Sequence, residues 1–177
     1  MRNSFDNQLK QMHNELVSMG ALCETAIANA AKALLEGGAD YGSKAWSADQ
    51  EIDDKEREIE ALCLKLLLQQ QPVARDLRQV SSALKMITDM ERIGDQASDI
   101  AEISKHIKDK GNIGSFSLGE MARATISMVT GAIDASSAYS AGVFGGGLCV
   151  GYIREYLAGR IAAPLNTVNL DNLLLSI

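Results

Sequence analysis

Proline, histidine and aromatic side chains are scarce in this 177-residue chain: two prolines, two histidines, and aromatics at 5%. So few prolines leave little to interrupt long helices. His13 and His106 each lack a glutamate three residues before them, where Lys10 and Ile103 stand instead. The Glu-x-x-His signature of di-iron carboxylate bundles is therefore missing, which argues against a ferritin-like oxidase. Cys23, Cys63 and Cys149 are odd in number, far apart and without a C-x-x-C pair. That excludes a disulfide framework or zinc site as the organising feature and suits a reducing cytosol. Cys23 and Cys63 stand among apolar residues and read as small buried hydrophobes. Excess positive charge is absent too. A net charge of −6 leaves no basic footprint for nucleic acid or an anionic membrane surface. The first residues run polar, with no signal-peptide core, so a cytoplasmic location is expected.

What the chain does have is helix-forming composition. Apolar residues reach 46%, and Ala, Leu, Glu, Lys and Gln dominate the first two-thirds. Three long helices are predicted. The first, over about 5–36, carries Phe5, Leu9, Met12, Leu16, Met19, Cys23, Ile27, Ala30 and Leu34 in steps of three and four. Gly37-Gly38 supplies its stop. The second, over about 40–70, aligns Ala45, Ile52, Ile59, Cys63, Leu66 and Leu67. Pro72 suits the first turn of the third, whose stripe is Val73, Leu77, Val80, Leu84, Ile87, Gly94, Ala101 and Ile107. Helices of roughly 45 Å joined by tight turns predict an all-α antiparallel three-helix bundle over residues 1–111.

A boundary falls between Gly111 and Ser117. Met121, Ala124, Thr125, Met128 and Ile133 then open a fourth helix that echoes the first. Residues 112–177 thus read as a partial or divergent second unit with a Gly-rich tail. Residues 135–153 carry no charge and five glycines, which makes a poor membrane-spanning helix despite its length. A three-helix unit leaves an apolar flank uncovered. Self-association is therefore expected, with a tail more easily cut by protease than residues 5–107.

The chemistry-bearing pattern is acidic. Residues 49–60 hold seven acids against Lys55 and Arg57. Within them Asp49 and Asp53 lie one turn apart, and Glu91 and Asp95 repeat that spacing in the third helix. Residues i and i+4 are about 6 Å apart on a helix surface, so two such pairs on facing helices could hold hard cations. Asp99 is a further candidate as an outer ligand. The plainer alternative is charge balance, with Arg75, Arg78 and Arg92 pairing with the same acids. Gly94 costs roughly 1 kcal/mol inside a helix, which points to close approach by another helix or a ligand. Arg75 and Arg78 near a helix start could receive an anion, or clamp a neighbouring helix while Asp76 supports the first turn. Gly145-Gly146-Gly147 lacks the Lys-Ser/Thr of a phosphate-binding loop. No nucleophile–base arrangement is visible, so no enzymatic activity is expected.

Gln71-Pro72-Val73-Ala74-Arg75-Asp76-Leu77-Arg78, Glu91-Arg92-Ile93-Gly94-Asp95 and Asp49-x-x-x-Asp53 together resemble the PhoU family, regulators of bacterial phosphate uptake. The resemblance covers about residues 2–135, and a second Glu-Arg-Ile-Gly-Asp is absent. It implies two three-helix units in tandem, and a metal cluster (iron, manganese or magnesium) on Asp49, Asp53, Glu91 and Asp95. It also implies a cytoplasmic negative regulator that contacts the phosphate transporter's ATPase subunit and a phosphate-sensing histidine kinase. Two other readings stay open: a carboxylate-bridged metal enzyme, and a metal-free helical adaptor.

Overall fold

The computed structural model describes residues 2–70, 74–107 and 118–140, all in helices and their connecting turns. Four helices follow in order: α1 (Arg2–Leu35), α2 (Ala39–Gln70), α3 (Ala74–Ser104) and α4 (Leu118–Ser140). The first three form an antiparallel bundle, and α4 packs chiefly on α1. Expectations for Gln71–Val73, including the helix start at Pro72, lie outside the described residues. So do those for Cys149, the Gly-rich stretch from residue 141 and the rest of the tail to 177.

The core follows a heptad. On α1, Met12, Leu16, Met19, Cys23, Ala26, Ala30 and Ala33 are buried in alternating steps of four and three. On α3, Val80, Ala83, Ile87, Met90, Ala97 and Ala101 keep the same alternation, with buried Gly94 in its place between Met90 and Ala97. The mean step of 3.5 keeps each apolar seam facing its partners along the full helix length. On α2 the anchors are Ala45, Ile52, Ile59, Cys63 and Leu66. Each large side chain removed from water here contributes about 1.5–3 kcal/mol.

The α1–α2 turn forms where the glycine pair predicts it. Gly37 and Gly38 take φ of 76° and 120°, backbone that residues with a Cβ rarely adopt. Cys23 and Cys63 are buried as expected, and burial pushes their thiols up to about 12 and about 11. Neither is a nucleophile near neutral pH.

Two stripe positions of the third helix are corrected, and Ile107 is the first: it lies beyond the end of α3 at Ser104. Leu77 was placed on the buried face of α3 but is 44% exposed. Tracing the four-three alternation back from Val80 reaches Asp76, which is half-buried, and turns Leu77 outward. At its other end α4 closes on α1 through Gly20, where an added Cβ would lie 2.8 Å from Ile133 Cγ1. Thr130 donates to Glu24 across the same contact at 2.5 Å. No described helix is long and apolar enough to cross a membrane.

Candidate functional site

Asp49 occupies a seam position of α2, four residues after Ala45 and three before Ile52, both fully buried. A carboxylate there is out of water: Asp49 is 6% exposed, and its Oδ1 has no hydrogen-bond partner. Opposite stands Gly94 of α3. A Cβ at residue 94 would lie 2.8 Å from Asp49 Oδ1 and 3.0 Å from Ile52 Cδ1. The close approach inferred from that glycine is therefore the approach of Asp49 and Ile52. Both helices owe this meeting to the same register that builds the core.

The other acids gather around this point. Burial raises the pKa of Asp49 above its ordinary value, and the negative charges of Asp53 and Asp95 add to that. The Ser98 hydroxyl, donating to the carboxylate, pulls it back, while Asp99 contributes a smaller upward push. Glu91, half-buried, is also raised, first by burial and then by Asp95, Glu56 and Asp53; Arg92 opposes the rise. Asp49, Asp53, Glu91 and Asp95 thus form one electrostatic group across the α2–α3 interface.

Two members of this group were not singled out from sequence. Glu56, three residues after Asp53, extends the α2 face by another turn and accepts from the Thr88 hydroxyl at 3.4 Å. The Asp53-x-x-Glu56 spacing carried that signal. Ser98 carried none, because a serine on a helix flank is ordinary.

Neutralisation by arginine is met only weakly. Arg92 reaches Asp89, not the central acids, at a loose 3.8 Å, with both side chains largely in solvent. Arg78 is exposed and enters no ion pair among the described residues. The Arg75 side chain lies outside the described residues. Lys55 turns to Glu15 and Glu58, at 2.6 and 2.8 Å, and so ties α2 to α1. Among the described residues, no ion pair reaches Asp49, Asp53, Glu91 or Asp95.

Asp49 and Glu91, raised by burial and by neighbouring carboxylates and reached by no ion pair among the described residues, have two outlets, protonation or a bound cation. The donors are all hard oxygens, which suits Mg²⁺, Mn²⁺ or oxidised iron. The orphaned Asp49 Oδ1 and the space kept clear at Gly94 fit such an ion. As the side chains stand, no three of the described His, Cys, Asp or Glu residues form a ready ligand set.

The chain was compared with known proteins. The PhoU domain family model matches residues 16–104, half of the chain and nearly all of the three-helix bundle. A phosphate-specific transport system accessory protein PhoU homolog from Clostridium acetobutylicum is 37% identical over 107 residues, 60% of this chain and 49% of the relative. The Synechocystis homolog is 38% identical over 103 residues, 58% of this chain and 46% of the relative. Among solved structures, PhoU from Pseudomonas aeruginosa superposes with a TM-score of 0.69 at 28% identity, covering 76% of this chain and 66% of that one. The chain spans about half the length of the curated relatives it matches.

Proposed function

This chain belongs to the PhoU family, and we propose that it acts as a cytoplasmic negative regulator of phosphate uptake and phosphate-starvation signalling. The observation that carries this reading is the family match across α1–α3, which includes the Glu91-Arg92-Ile93-Gly94-Asp95 segment at the acidic seam. The relatives are named as accessory proteins of a phosphate-specific transport system. In this role the chain works by contact, not by catalysis. Its long helical faces dock on the transporter's ATPase subunit and on a phosphate-sensing histidine kinase.

The acidic seam serves that role as a cation site. Asp49, Asp53, Glu91 and Asp95 would hold the ion, with Glu56 and Asp99 at the margin. A bound cation supplies positive charge where α2 and α3 meet like-charged. The chain's own part is to keep Asp49 dry, to clear space at Gly94 and to fix one carboxylate through Ser98. Deleting the gene tests the regulatory reading directly. Starvation-responsive phosphatase activity is expected to rise in phosphate-rich medium and to fall again on complementation. Phosphatase activity and phosphate uptake that both stay at the wild-type level would contradict it.

A second reading, a metal-free helical adaptor, is favoured by the lack of a ready set of three ligands among the described residues. It differs in leaving the seam acids without a bound ion.

A further inference from the structure

Four large apolar side chains stand in water around one face, where α2 and α3 run side by side. Trp46 is 60% exposed, Leu64 48%, Leu68 83% and Leu77 44%. Leu64 follows Trp46 by 18 positions, five full turns, so the two share one flank of α2. That flank borders α3, because Trp46 lines a cleft with Ser98 and Glu102. Asp95 follows Leu77 by the same five turns, which puts Leu77 on the flank of α3 that faces α2. The register of the two helices then gathers the leucines. Thr88 meets Glu56, and Gly94 meets Asp49, so Leu77 stands level with Leu68. A lone exposed leucine needs no explanation. A tryptophan at one end of a face and three leucines at the other mark an interaction surface.

Between these apolar ends the surface is acidic. Asp53, Glu56 and Glu60 of α2 and Glu91, Asp95 and Asp99 of α3 enter no ion pair among the described residues. Beneath them the buried Asp49 leaves its Oδ1 without a partner. The arginines at the edges are engaged within their own helices, Arg57 with Asp54 at 3.1 Å and Arg92 with Asp89 at 3.8 Å. Whatever covers this face therefore supplies positive charge. A second copy presenting the same face would set acids against acids, and an anionic membrane is repelled for the same reason. The face is also long and straight. From Trp46 to Leu68 it follows about 33 Å of α2, the length of a partner helix of about six turns.

We propose that the outer α2–α3 face docks a basic amphipathic helix of a partner protein. Its apolar residues seat on Trp46 at one end and on Leu64, Leu68 and Leu77 at the other, while its lysines or arginines meet the acids between. The proposal rests on the reading that this chain works by contact, and it specifies the chemistry of the segment contacted.

The chain has one tryptophan, so the fluorescence of Trp46 reports docking directly. The probe is a synthetic helical peptide of about 22 residues, with leucines near both ends and lysines between them on one face. It is titrated into the full chain with a chelator present, so that no bound ion competes for the acids. Trp46 emission is expected to shift to the blue as water leaves the ring, and a peptide with glutamates in place of the lysines should leave it unchanged. Leu68→Ser with Leu77→Ser raises the dissociation constant about tenfold or more, and Asp95→Lys with Asp99→Lys does the same. All four side chains are exposed, so helical content stays intact. An emission unmoved at high micromolar peptide overturns the proposal. So does binding that the lysine pair abolishes but the serine pair leaves untouched, since that is charge attraction without docking. Tighter association with vesicles of anionic lipid than with the peptide would overturn it too. A silent titration leaves the gene-deletion phenotype standing, and a silent deletion leaves the titration standing, so the two readings fail separately.

Discussion

Ile59, Cys63 and Leu66 of α2 lie fully buried in the bundle, whereas three turns earlier the same seam carries Asp49 opposite Gly94. Both stretches obey one heptad register. In the first, every seam position removes apolar surface from water. In the second, a carboxylate takes a core position without a hydrogen bond on one oxygen, and acids from both helices crowd around it. Register alone therefore does not separate packing from function. The separation comes from which seam positions hold a group that packing cannot satisfy. Buried apolar packing is concentrated at the Ile59–Leu66 end, and buried charge without an ion-pair partner among the described residues at the Asp49–Asp95 end.

The sharpest way to break this contrast is to cut a side chain from each end. Ile59→Ala is expected to destabilise the chain by about 2–5 kcal/mol, the usual range for emptying a packed core site. Chemical denaturation followed by helical signal would read it. If Ile59→Ala costs no more than Asp49→Ala, the two ends are not different in kind.

Gly94→Val probes the contact between the ends' controlling elements and ranks next. Its Cβ would fall within 2.8 Å of Asp49 Oδ1 and 3.0 Å of Ile52 Cδ1, an overpacking worth about 1–3 kcal/mol. Because the first clash is with Asp49, adding Asp49→Ala should recover part of the loss. Strict additivity of the two changes would show that the close approach is not what keeps residue 94 small.

The smallest effect is in pH. Asp49 and Glu91 have raised folded pKa values, so the folded chain holds their protons more tightly than the unfolded chain does. Their contribution to stability is present below the unfolded carboxylate range, about 3.9 to 4.3, and is lost as pH rises through the higher folded values. Metal-free protein should therefore lose some stability at these groups between mildly acidic and neutral pH. Asp49→Asn should flatten that slope. An unchanged slope in the variant would place the effect elsewhere.

Much of this was legible in the sequence. The helices α1–α3, the glycine stop at 37–38 and the seam through Met12–Ala33 follow from three-four spacing and turn chemistry. Gly94 was legible as well, because an internal glycine in a good helix needs a reason. Leu77 was misplaced because steps of three and four are both available before Val80, and only tertiary packing chooses between them. Glu56 was hidden within a charge run whose members look alike until the facing helix is known. The exposure of Trp46 and Leu64 could not be read from α2 alone. Apolar spacing identifies a face but not whether a neighbour covers it.

The account turns on the acidic end of the α2–α3 seam being a cation site. The most direct measurement is thermal unfolding of the metal-free full chain with and without added Mn²⁺, Mg²⁺ or Fe³⁺, beside Asp95→Asn. The account predicts that at least one ion stabilises the wild type, by about 2.7 kcal/mol when it exceeds its dissociation constant a hundredfold, and that Asp95→Asn removes most of this gain. No shift with any of the three ions, together with elemental analysis finding no metal on the purified chain, would contradict it.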